Sequence, residues 1–122
     1  MINQDRIVPV LATDLLSLYG TMLSIANVSV TALQASGGIG EIELASGSGN
    51  FLCAEPVKDF NFGSGVTSAT IYFIPAYNYK GFSKTGSTIT IADNNVVVNA
   101  DGSTLYKAVL STNTLTITKV GF

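Results

Sequence analysis

Histidine and tryptophan are absent from this 122-residue chain, and cysteine occurs once, at Cys53. The lack of histidine removes the usual general base and the commonest metal ligand. A serine or cysteine nucleophile would have no imidazole to activate it. One thiol forms no intrachain disulfide and closes no thiolate zinc site. Within "NFLCAEP" it reads as a buried structural residue, and the chain is expected to fold without oxidation, as in cytosolic assembly.

Charge is the second scarcity. Lys, Arg, Asp and Glu make up 11% of the residues, against about 25% in ordinary globular chains. Apolar residues keep a normal 47% share, so Ser, Thr, Asn and Gly have replaced charge rather than enlarged the core. A net charge of −2 does little to hold copies apart. This composition suits a chain packed against neighbours or a rigid extracellular module. It also fits an ordinary β domain with a Thr-rich surface. The basic residues Arg6, Lys58, Lys80, Lys84, Lys107 and Lys119 are scattered, whereas a phosphate-binding face needs them clustered. No nucleic-acid partner is expected.

Long apolar runs are missing too. "MINQDRIVPVLATDLL" is interrupted at Pro9 and Asp14, unlike a secretory leader. The charge-free segment from Leu15 to Ala35 is laced with Ser, Thr, Asn and Gly, unlike a membrane span. "SGGIGE", "SGSGN" and "FGSGV" lack the Gly-Lys-Ser/Thr ending of a phosphate loop and read as turns. The two GSG turns lie 16 residues apart, but their flanks differ, so no repeat is inferred from them. Glu41 and Glu43 share a strand face and read as solvated rather than catalytic. Asp93, Asp101, Asn94, Asn95 and Asn99 match no calcium loop and fall where turns need Asn and Asp. No cofactor, no metal and no catalysis are expected.

The residues present describe a mainly β chain, read as one β-rich domain over 1–122 with an N-terminal arm and a helix. Between Asp14 and Ala26, Leu15, Leu18, Tyr19, Met22, Leu23, Ile25 and Ala26 follow the spacing of an amphipathic helix. Thr13 or Asp14 can open it, and Asn27 can close it in the left-handed conformation. The rest alternates strands and turns. "SATIYFIP" is apolar on both faces, with Ala69, Ile71 and Phe73 on one and Tyr72 and Ile74 on the other, so it is expected to be central and covered on both sides. Asp101-Gly102 carries a hairpin signal. A further turn at Ser111-Thr112-Asn113 leads into "TLTITKVGF", where Leu115 and Ile117 face inward and Thr114, Thr116 and Thr118 outward. The expected fold is an antiparallel β-sandwich or small barrel with one N-terminal α-helix at about 14–26.

The densest chemical patch is "YFIPAYNYKGFS", which gathers Tyr72, Phe73, Tyr77, Tyr79 and Phe82 around Pro75. It can close one end of the core, form a protein interface, or offer a glycan platform, although no Trp supports the last. Tyr72, Tyr77, Tyr79 and Phe82 are the interface candidates. Phe122 joins them: Gly121 breaks the alternation of the last strand, so the terminal ring can turn back onto apolar surface, either the stripe of the Asp14–Ala26 helix or a neighbouring subunit.

Taken together, the helix "TDLLSLYGTML", the middle "LCAEPVKDFNFGSGVTSATIYFIPAYNYKGF" and the ending "ADGSTLYKAVLSTNTLTITKVGF" resemble the small virion-associated proteins of phages and prophages of Gram-positive gut bacteria. The resemblance implies a structural role on the virion, assembled in the host cytoplasm. Most directly it implies decoration or cementing of the capsid, with the major capsid protein or further copies of the chain as partner (a homo-oligomer) and no membrane. A glycan-binding surface module and a tail or baseplate component are the alternatives. No site residue is implied by the resemblance.

Overall fold

The computed structural model describes residues 12–78, 82–92 and 98–120. The N-terminal arm, Tyr79 and Phe122 lie outside them. The first element among the described residues is the helix α1, Ala12–Ile25, within two residues of the span the periodicity gives. Asn27 closes it at φ 65°. The Val28 amide donates to the Leu23 carbonyl at 2.8 Å, and the Asn27 amide to Ser24 at 3.0 Å. These are the two bonds of a Schellman stop, and Val28 packs against the apolar cluster that contains Leu23.

Nine strands follow among the described residues. They are β1 (Thr31–Leu33), β2 (Glu41–Leu44), β3 (Asn50–Cys53), β4 (Asp59–Phe62), β5 (Ser68–Phe73), β6 (Ser83–Lys84), β7 (Thr90–Ile91), β8 (Tyr106–Ser111) and β9 (Thr114–Lys119). One sheet runs β1-β3-β5-β8-β9-β7 and the other β2-β4-β6. We call them sheets A and B. The first six strands alternate between the sheets. β1, β3 and β5 pair in parallel, as do β2, β4 and β6. The chain thus winds as three stacked coils in a β-solenoid-like arrangement. The antiparallel sandwich or small barrel expected from the sequence is not what this pairing describes. Side chains alternate in the same way on parallel and antiparallel strands, so the pattern that located the strands was blind to their direction.

The stacking also contains a repeat. Thr31, Phe51 and Ile71 occupy successive rungs at 20-residue steps. On sheet B the steps are 18 and 22 residues, from Glu41 to Asp59 and from Asn61 to Ser83. What repeats is the position of inward side chains, not their identity. The two GSG turns, from which no repeat was inferred because their flanks differ, sit at corresponding corners of successive coils, between β2 and β3 and between β4 and β5.

After the third coil the pattern changes. β8 pairs antiparallel with β5 and β9, while β7 lies parallel to β9. The hairpin is β8–β9, turning at Thr112-Asn113 as the sequence suggested. The turn and strand expected just before Asp101-Gly102 fall partly on 93–97, outside the described residues. At the turn itself the Asp101 carboxylate accepts from the Ser103 and Thr104 amides, both at 2.9 Å, and from the Thr104 hydroxyl at 2.6 Å. Bonds from an Asp side chain to the backbone just after it are what makes the residue suit a turn.

Between the sheets lies the main core. Ile42 and Leu44 from β2, Phe60 and Phe62 from β4, Ala69, Ile71 and Phe73 from β5, and Leu115 and Ile117 from β9 all contribute. The opposite face of sheet A is covered by α1, whose Tyr19 and Leu23 pack on Leu52, Tyr72, Ile74 and Leu105. Each large apolar side chain buried this way contributes roughly 1.5–3 kcal/mol. β5 is therefore covered on both faces, as its sequence required. Cys53 is in the core, also as expected.

Candidate functional site

The aromatic patch divides when folded. Tyr72 is only 7% exposed and belongs to the cluster under α1. Burial pushes its hydroxyl above the ordinary phenol value. Phe82 is half-buried against the core. Its ring meets Phe60 at 5.5 Å and Phe73 at 5.3 Å, both edge-on. Tyr77 is 50% exposed. Next to it, the Asn78 side-chain oxygen accepts from the Ala100 amide at 2.5 Å, which fixes the segment after Pro75 against the loop that carries Asp101. Of the described interface candidates, Tyr77 is the exposed one, with half of its surface accessible. Tyr72 and Phe82 are taken up by packing within the chain.

The larger apolar surface lies where the aromatic signal did not point. α1 buries Tyr19 and Leu23, yet leaves Leu18 55% and Ile25 78% exposed. Residues seven apart lie on one flank of a helix, and half-buried Met22 lies between them. The sequence signal was available, since α1 has more apolar positions than one contact face needs. On α1's other flank a groove of about 370 Å³ opens, lined by Leu16, Gly20, Ser24, Val30, Ala32 and Leu52. A Cβ on Gly20 would only touch Leu52, at 3.9 Å. The glycine therefore opens modest space and does not enforce a close approach. Beyond α1, the same side of sheet A presents Ser111, Thr114, Thr118 and Val109, all exposed.

A polar groove of about 430 Å³ marks the outer face of sheet B. Glu41 pairs with Asp59 across the rungs, and Glu43 with Asn61, which in turn faces Ser83. The Ser83 hydroxyl donates to Asn61 at 3.2 Å, and the Asn61 amide to Thr85 at 3.0 Å. These groups can hold a polar ligand by hydrogen bonds. Among the described residues, no three His, Cys, Asp or Glu side chains are placed to bind a metal. Cys53 is sealed in the core, where burial, with Glu55 adding, pushes its thiol far above the ordinary value. Burial of this kind disfavours the thiolate. No α-helix among the described residues is long and apolar enough to cross a membrane.

Both outer edges of sheet B are folded over. Ala35 bridges back to Ile42 on β2, and Ser87 to Lys84 on β6. Such fold-backs shield an edge from strand addition. The available contact surfaces are thus faces rather than sheet-B edges: the α1 flank, the hydroxyl-rich strip of sheet A, and the tips at Ile39, 88% exposed, and Tyr77. Comparison with protein-family models, curated proteins and solved structures finds no match to this chain.

Proposed function

We propose that this chain is a structural assembly module of a phage particle that decorates or cements the capsid, packing on the major capsid protein or on further copies of itself. The virion assignment rests on the sequence resemblance. The observation that carries the assembly reading is the exposed flank of α1, where Leu18 and Ile25 leave apolar surface beyond what the chain's own core uses. Low charge supports it, because contacts made there gain little from ion pairing and lose little in salt. The glycan-binding alternative has Tyr77 half exposed, while Tyr72 is spent beneath the helix. A tail or baseplate position would use the same faces.

The test is cosedimentation of the purified chain with assembled capsid shells, together with self-association by analytical ultracentrifugation, in low salt and in about 0.5 M salt. Binding to shells, or oligomers, that persist in high salt and are lost in a Leu18→Glu/Ile25→Glu variant of unchanged fold supports the proposal. A monomer at every concentration, without affinity for shells, sinks it.

A further inference from the structure

Leu44, Phe62 and Lys84 occupy successive rungs of sheet B on its inward side. Two apolar side chains are thus followed, at the last coil, by a cation. Lys84 is 6% exposed and is the one buried polar or charged side chain among the described residues. Burying an ammonium group is costly unless it is hydrogen-bonded, and an apolar residue would fill such a rung at less cost.

Its bonds show what it accomplishes there. Nζ donates to the Thr112 carbonyl at 3.0 Å and to the Asn113 side-chain oxygen at 3.1 Å. Both acceptors are neutral, and both belong to the turn of the β8–β9 hairpin in the other sheet. That turn is held from two more directions. The Thr112 amide donates to Thr67 at 2.8 Å, and the Thr90 amide to the Asn113 carbonyl at 2.9 Å. Thr112 sits at φ 56°, a conformation that a β-branched residue adopts only when its surroundings impose it. The third coil, the β4–β5 connection, β7 and the hairpin therefore meet at one turn, and Lys84 is the side chain that joins sheet B to it.

We propose that Lys84 is a latch that ends the coil stack and fastens the β8–β9 hairpin of sheet A to sheet B. With the latch cut, the C-terminal end opens locally while the first two coils stay closed. A lysine that merely filled space would not act in this way: its loss would weaken the whole core evenly.

Hydrogen exchange measured residue by residue on the full chain separates the two. In Lys84→Met, which keeps the apolar stem, the amides of Thr85, Thr90 and Thr112 are expected to exchange at least about tenfold faster, while those of Leu52 and Phe60 stay as in the wild type. Asn113→Ala removes one acceptor without touching the core, and is expected to show the same local pattern more weakly. It carries the test if Lys84→Met does not fold. Faster exchange spread evenly over both sheets, or unchanged exchange at the turn in Asn113→Ala, overturns the latch.

Discussion

The α-carbon of Gly63 lies against the carbonyl of Ala45, one coil earlier, so closely that a Cβ would collide with that oxygen. The Gly63 amide donates to the neighbouring Leu44 carbonyl at 2.8 Å, so neither coil can back away without losing a bond. In the same GSG turn, Gly65 has open space around it and φ outside the left-handed region. Gly63→Ala is expected to cost about 3 kcal/mol, the upper range for overpacking. Gly65→Ala is expected to shift stability by no more than about 0.5 kcal/mol. Urea melts of both variants check this, and equal effects would show that the coils are not in contact at this corner.

The strained turn at Thr112 makes a prediction of the opposite sign. Asparagine tolerates φ > 0 where a β-branched residue does not. Thr112→Asn preserves the backbone carbonyl that Lys84 uses and the amide that bonds Thr67. It is expected to raise stability by about 1 kcal/mol, measured as a higher midpoint in denaturant with an unchanged slope.

Asp101 sets a pH dependence. The bond from the Thr104 hydroxyl, helped by the Ser103 and Thr104 amides, holds its carboxyl down at about 2 instead of the ordinary 3.8. A depressed acid contributes stability that is complete above its unfolded value and is lost as pH falls through the folded one. The contribution is therefore full above about pH 4 and fades toward about pH 2. Asp101→Asn should flatten the stability profile across that window and leave the profile above it unchanged in slope. Thermal melts from pH 2 to pH 5 decide this, and a variant as acid-sensitive as the wild type refutes the assignment.

Two tyrosines from the aromatic patch should behave differently. Tyr72→Ala opens a cavity under α1 beside Leu52 and Leu105 and is expected to cost about 3–5 kcal/mol, as for other buried aromatic truncations. Tyr77→Ala is expected to leave the thermal midpoint within a few degrees. If Tyr77 lies in the assembly contact, the variant weakens association by about 2 kcal/mol. Loss of binding in a glycan array with this variant, and with no change in assembly, would favour the glycan reading.

Much of this fold is written in local chemistry. The α1 residues carry a 3.6-residue apolar rhythm and Asn27 a left-handed stop, and both depend only on neighbouring backbone. The two apolar faces of β5, the buried Cys53 and the outward threonines of β9 follow from alternation, which each strand shows by itself. The existence of elements, and which side of each must be covered, was therefore legible in the sequence.

Strand direction, the coil repeat and the contact surfaces were not, because each depends on what arrives from a distance. β3 and β5 look the same in sequence whether their neighbour runs up or down. Parallel pairing arises because each chain segment returns through sheet B before it reaches sheet A again. Gly63 and Gly65 are indistinguishable as turn residues until Ala45 is placed beside one of them. Lys84 reads as an ordinary surface cation until its rung is found to be inward and the Thr112-Asn113 carbonyl and amide oxygens lie at its tip. Tyr72 and Tyr77 are five residues apart, yet α1 covers the first and leaves the second open. The sequence determines which side chains seek burial; the tertiary structure decides which find cover within the chain, because cover is supplied by segments distant in sequence whose approach no local pattern encodes.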